Sequence, residues 1–360
     1  MSAPVDIFQI SEVSAGKDQT LALLRTGEIL GWGGAGSGRY VPPYVDICSA
    51  FKGSDPKPVY VSTPSNYSNI SAGFGISLGI CDRQVYMWGF SQIDLGGQSP
   101  ISEVPVAAVD VKNATRVAAG QFLFGAIDVN GGLYTWGLNV AGDLGRETSQ
   151  INARPALIPG IPPVQAVAIG DQFMLALSRD HRVYGWGSNS SGQLGLGHLR
   201  TILQPEAVHL KDKIKSLTVG SSHALVLSDA GNVYGWGSNH FGQLANKTDS
   251  FITRPAPIAF PEPIASLAAG MHHSLALGSS GKVYAWGWNG VGQLGLSDLQ
   301  SRSTPALVPK LSGVRAIAAG ELHSIAIGPH NLFGWGSNMS GQIGKAETRQ
   351  MVPIPFLTIG

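Results

Sequence analysis

Residues 270–295 read GMHHSLALGSSGKVYAWGWNGVGQLG, from Gly270 to Gly295, and the chain writes this segment out repeatedly. Gly220–Leu244 carries it as GSSHALVL…GNVYGWGSNHFGQL, and Gly170–Gly195 carries it again. Self-similarity at a fixed period decides architecture before local propensity does.

Three markers hold the register. A glycine opens each copy at Gly16, Gly73, Gly120, Gly170, Gly220, Gly270 and Gly320. A tryptophan follows 15 or 16 residues later, at Trp32, Trp88, Trp136, Trp186, Trp236, Trp286 and Trp335. Pro58, Pro105, Pro155, Pro205, Pro255 and Pro305 each lie 15 residues before the next marker glycine. The period is therefore close to 50 residues and occurs seven times.

Within a period the pattern predicts four short strands, which in the sixth copy are 254–260, 264–269, 273–277 and 282–287. Val283, Tyr284, Ala285 and Trp286 alternate as a strand with two packed faces. Gly278-Ser-Ser-Gly281 supplies a hairpin turn. Four antiparallel strands repeated seven times predict an all-β, seven-bladed β-propeller, a single domain over residues 1–360. The first copy starts at Ile10 without a proline-led strand, whereas residues 351–357 resemble one. The expectation is that this C-terminal strand joins the N-terminal blade and closes the ring.

The motif G-x-x-H-S-x-A-L followed by G-x-V-Y-x-W-G-x-N-x-x-G-Q-L-G resembles the RCC1 (regulator of chromosome condensation) repeat family. Copies four to seven match closely. Copies one to three depart, with Gly33-Gly-Ala-Gly36 and Gln92-Ile-Asp-Leu95 where Asn-x-x-Gly-Gln-Leu is expected. The resemblance covers essentially the whole chain and implies a seven-bladed propeller. It also implies a protein partner: guanine-nucleotide exchange on a small GTPase is the best-known family role, and secreted propellers of similar fold inhibit β-lactamases. The family's exchange residues have no recognisable copy here.

Composition narrows the function classes. Charged residues make up 13% of the chain, and 24 basic against 23 acidic side chains leave a net charge of +1. That balance offers no electrostatic footprint for nucleic acid or an anionic membrane. The two cysteines, Cys48 and Cys81, make no disulfide framework. The N-terminal residues show no signal-peptide pattern and no apolar run has membrane-spanning length, so a cytoplasmic, monomeric protein is expected.

His223, His273 and His323 share one repeat position and are the sharpest metal candidates. Gln19, Ile76, Leu123 and Phe173 occupy that position in the other copies, so these histidines are read as structural, bonded to backbone in a tight loop. The seven repeat tryptophans are read as packing between blades. With no carboxylate pair, Ser-His-Asp set or phosphate loop, no enzyme activity, metal or cofactor is expected.

What fails to repeat is the better functional signal. In an up-down-up-down blade, the loop after the marker glycine and the connection after the tryptophan lie on one face. The loops carry Phe74, Phe122, Phe173, Met271, His272 and Glu321-Leu322; the connections carry Phe90, His240, Phe241 and Trp288. An insertion within 33–56, containing Tyr40 and Tyr44, projects from the first connection. Varied aromatic loops on a rigid ring predict recognition of a protein partner through this face.

Overall fold

The computed structural model describes residues 7–34, 58–61, 65–90, 101–107, 111–148, 151–344 and 347–358. Their strands form seven four-stranded antiparallel sheets, with one short 3-10 turn at Ile7–Gln9. In the sixth sheet the strands are Ile264–Ala269, His273–Gly278, Val283–Gly287 and Arg302–Leu307, in that spatial order. The first strand of every sheet lies toward the common axis. Ile10–Ala15 contacts the inner strands of both the second blade and the seventh (Ala316–Ala319), so the ring closes.

The strand assignment differs from the sequence expectation in one respect. The proline-led strand belongs to the preceding Tyr-x-Trp-Gly strand and forms the rim of that blade: Phe251–Ile258 pairs with Val233–Ser238, for example. By the same rule Arg349–Thr358 pairs with Asn331–Ser337 in the seventh blade, while Val59–Tyr60 completes the first. Among the described residues no strand is exchanged between the chain ends. The reason is local. Asn239 and Gln243 fold the connection after Trp236 from within. The Asn239 carboxamide accepts from the Leu244 amide and donates to the Asn246 and Asp249 carbonyls, while the Gln243 Oε1 accepts from the Phe241 amide. That compact loop returns the chain onto its own sheet. Proline then falls on an open rim edge, where a missing N–H leaves no ladder bond unmade.

The glycine of each Trp-Gly pair is required by the backbone. Gly287 has φ +98°, and a Cβ there would stand 2.5 Å from the His272 carbonyl oxygen. The turned backbone lets the next residue, Trp288, donate its amide to that same oxygen at 2.8 Å. One glycine thereby ties the connection to the inner loop on the same face.

The core is divided among the blade interfaces. Each repeat tryptophan is at most 1% exposed. Trp186, Trp236, Trp286 and Trp335 donate their indole N–H to the carbonyls of Asp143, Gln193, Gln243 and Gln293 in the preceding blade. At the last junction the Trp32 ring meets Phe356 from the C-terminal strand at 5.3 Å. The Thr20 hydroxyl donates to the Gln342 carbonyl, and an Arg315 guanidinium N–H donates to the Ile10 carbonyl. Chain termini are thus joined by packing and side-chain bonds.

Around the axis the marker glycines bring backbone against backbone. The Lys17 amide donates to the Gly73 carbonyl, Phe74 to Gly120, Asp171 to Ser221, Ser221 to Met271, Met271 to Glu321, and Glu321 to Gly16. A Cβ on Gly220 would stand 2.1 Å from the Gly270 oxygen, which is why this position stays glycine. This collar holds the face that carries the inner loops.

Candidate interaction face

The collar and the connections place the non-repeating residues in two groups. The first lies where blades five and six meet. Phe241 comes from the connection of blade five, His272 from the inner loop of blade six, and Trp288 from the connection of blade six. The Phe241 and His272 rings are 5.0 Å apart at 35°, and Phe241 and Trp288 are 6.2 Å apart at 55°. Phe241 is 40% exposed, Trp288 and His272 are half-buried, and His240 beside them is exposed. Burial, reinforced by His240, holds the His272 imidazole below its usual pKa. The cluster is therefore neutral and apolar near pH 7, with one polar ring inside it.

The second group surrounds the axis. The residues after the marker glycines, namely Lys17, Phe74, Gln121, Asp171, Ser221, Met271 and Glu321, line a central funnel of about 280 Å³. The Lys17 ammonium sits 3.4 Å from the Phe74 ring centre, a cation–π contact. Phe74 in turn leans on Phe122 at 6.4 Å, and both are half-buried. Asp171 and Glu321 face the same funnel. Burial raises the pKa of both, opposed for Asp171 by a Ser221 hydrogen bond and for Glu321 by Lys17.

Phe173 does not belong to this face. It is 0% exposed and packs with Leu175, Ala224 and Trp236 between blades four and five. It fills the room that histidine takes elsewhere, so its aromatic character serves the interface. Phe90 ends the strand Gln84–Phe90 and pairs with Ile101. Tyr40, Tyr44 and the 33–56 insertion, apart from Gly33 and Gly34, lie outside the described residues, as does Cys48; Cys81 is a buried thiol.

The repeat histidines are structural in a different way from that expected. Each reaches a hydroxyl on the next blade through Nε2: His223 to Ser274 at 3.1 Å, His273 to Ser324 at 3.0 Å and His323 to Thr20 at 2.9 Å. They are spread over three interfaces and do not converge. Lys17 and Asp171 were not among the inner-loop departures named from the sequence, which are Phe74, Phe122, Phe173, Met271, His272, Glu321 and Leu322. Their shared position one residue after a marker glycine was the signal. The rim also carries Val140, Ile151 and Leu203, each more than 60% exposed.

Comparison with known proteins follows the geometry. The RCC1-like domain family model matches residues 95–358. The chain is 35% identical over 139 residues to the human "Probable E3 ubiquitin-protein ligase HERC6", a match covering 37% of this chain and 13% of that protein. The chain thus corresponds to only a small part of that relative. Among solved structures, human WBSCR16 superposes with a TM-score of 0.78 at 22% identity, covering 92% of this chain and 94% of that one. Prp20p from Saccharomyces cerevisiae gives a TM-score of 0.77 at 21% identity, covering 88% and 82%. At these identities the two structures speak for the fold alone. Among the described residues no helix is long and apolar enough to cross a membrane.

Proposed function

The chain belongs to the RCC1-like domain family, and from that premise we propose that it is a protein-binding module that holds its partner on the face carrying the inner loops. The observation behind this reading is the Phe241–His272–Trp288 cluster, which gathers three non-consensus aromatic rings from two blades onto an accessible surface. Tryptophan and neighbouring aromatic residues are the usual anchors of interfaces. Two rigid blades fix their relative positions, so little ordering entropy is lost on association.

Yeast Prp20p, a structural relative, has binding properties toward Gsp1p and histones, and it has been seen bound by Kap60. That members of this fold engage proteins supports the module reading. Guanine-nucleotide exchange is the second reading, favoured by the family resemblance, and nucleotide-release assays across a panel of small GTPases test it; no acceleration with any of them ends it.

The primary reading is tested by proximity cross-linking from this face. A photoreactive group placed at His240 should capture a discrete partner, and Phe241→Ala/Trp288→Ala should reduce that capture at least tenfold with an unchanged melting temperature. Undiminished capture moves the interface off this cluster.

A further inference from the structure

The axial funnel and the aromatic residues beside it share one face, and their chemistry differs. The funnel receives one lining residue from each of the seven blades just past the marker glycine. The charges that act on Glu321 are Lys17, Asp171 and Asp18, and of the charged groups the funnel itself is lined by Lys17, Asp171 and Glu321, two carboxylates to one ammonium. That ammonium is already engaged by the Phe74 ring. The Glu321 Oε2 is closed off from solvent and has no hydrogen-bond partner among the described residues. Burying a carboxylate oxygen without a partner is costly, so Glu321 gains from positive charge brought near its carboxylate, where Lys17 is the one cation acting on it.

The volume limits the guest. At about 30 Å³ per water, a funnel of about 280 Å³ admits one long side chain and excludes a helix, whose diameter is about 10 Å. A metal ion fits the lining less well, because among the described residues no group of three or more His, Cys, Asp or Glu is close enough to hold one. An organic cation on an apolar stem meets both conditions. Its head takes the carboxylates, and its flanks meet Phe74 and Phe122 on one side and Met271, with the Phe241–His272–Trp288 cluster beyond it, on the other.

We propose that the funnel is a socket for one arginine or lysine side chain at the tip of a protein partner's loop. Asp171 and Glu321 neutralise the charge, and the aromatic groups receive the apolar residues that flank it. The inference rests on the reading of this face as a protein interface and adds the chemistry of the partner. Desolvation raises the pKa of Asp171 and Glu321, and for Glu321 the Lys17 charge offsets it only in part.

Selection of a displayed library of disulfide-closed random peptides on the full chain tests it. Enriched peptides should carry Arg or Lys beside aromatic or aliphatic residues and weaken at least tenfold between 50 and 500 mM salt. Asp171→Asn/Glu321→Gln should weaken them at least thirtyfold, with a melting temperature equal to or above that of the parent because the charge on Glu321, one oxygen of which has no partner, is removed. Enriched peptides without a basic residue, or ones that bind the amide variant within twofold of the parent, overturn the socket. If those same peptides still lose affinity to Phe241→Ala/Trp288→Ala, the interface reading survives; if they are indifferent to both variants, both fall. A library from which nothing is enriched also overturns the socket.

Discussion

His273 of blade six reaches Ser324 of blade seven, Nε2 to Oγ, at 3.0 Å, and Ser324 gives its own hydroxyl proton to the Gln293 carbonyl of blade six at 2.8 Å. Because the hydroxyl has only one proton, the imidazole must be the donor, which places the histidine proton on Nε2. The same Gln293 oxygen accepts the Trp335 indole N–H at 2.9 Å. One carbonyl, one hydroxyl and one imidazole therefore join two blades. Elsewhere the partners change together. Gln19 bonds Ser77, whereas Ile76 packs with Phe124, Leu123 with Met174, and Phe173 with Ala224. Polar meets polar and apolar meets apolar at all seven junctions.

That joint exchange makes a prediction within this chain. Ser324→Ala strands a buried imidazole N–H and should cost about 1–3 kcal/mol. His273→Phe alone should cost a similar amount, because the ring then faces a hydroxyl. The double variant His273→Phe/Ser324→Ala rebuilds the Phe173–Ala224 pair and should recover most of the loss. Denaturant unfolding of the four proteins gives the coupling energy. Strict additivity would mean that the two positions do not act as a pair.

The same burial sets a pH dependence. Desolvation lowers the pKa of His223, His273 and His323 from 6.5 to about 3. The unfolded chain then binds protons that the folded chain refuses, so this contribution to stability is complete above pH 6.5 and is lost as the pH falls toward 3. Three such groups give a slope of up to about 4 kcal/mol per pH unit once the unfolded histidines are protonated, at about 1.4 kcal/mol per group. Desolvation raises the pKa values of the carboxylates Glu12, Asp18, Asp143, Asp171 and Glu321, which act in the opposite sense from the ordinary carboxylate range upward. The histidine effect is therefore read as the difference between parent and variant, in which the carboxylates cancel. Below pH 6.5 His273→Phe/Ser324→Ala should lower the slope by about 1.4 kcal/mol per pH unit. An unchanged slope would place the acid sensitivity elsewhere.

The period carried the fold because every structural requirement recurs. The Gly287 backbone and the buried Trp286 recur in all seven copies and the Asn239 and Gln243 loop bonds in copies four to seven, and a residue type that appears at fixed spacing discloses its role. Blade boundaries were less legible. A proline-led strand reads equally well as the first strand of one repeat or the last of the one before, and only loop-internal hydrogen bonds decide. Site chemistry was legible in part. Phe241, His272 and Trp288 stood out as departures from the consensus and do meet. Phe173 stood out equally and is buried, because a departure in the sequence does not say whether it faces a neighbouring blade or solvent. Lys17 and Asp171 acquire meaning only when seven distant loops are brought around one axis.

The exposure of Trp288 gives a spectroscopic test. The other seven tryptophans are at most 1% exposed, so iodide, which does not enter protein interiors, should quench Trp288 emission almost exclusively. Trp288→Phe should abolish the quenchable fraction and leave the melting temperature within about 2 °C of the parent. Occupation of the proposed interface should protect the same fraction in the parent protein. A quenchable fraction that survives Trp288→Phe would show a second exposed indole and break the assignment of the repeat tryptophans to the blade interfaces.

The closure of the ring separates two topologies that share every strand. If the C-terminal strand completed the first blade, removing residues 349–360 would deprotect the outward amides of Ile29–Gly33. In the structure Arg349–Thr358 pairs with Asn331–Ser337, and Ile29–Gly33 is covered by Val59–Tyr60 and by a Val61 amide donating to the Ile29 carbonyl. Hydrogen exchange on the truncated chain should therefore rise in 331–337 and stay low in 29–33. The first blade still depends on the C-terminus through packing, since Phe356 covers the Trp32 ring at 5.3 Å. Phe356→Ala keeps the backbone ladder and removes only that contact. Because Phe356 is half-buried, the loss should be about 2 kcal/mol, below the 3–5 kcal/mol of a fully enclosed phenylalanine. Faster exchange confined to 29–33 in the truncated chain would restore strand exchange between the ends as the means of closure.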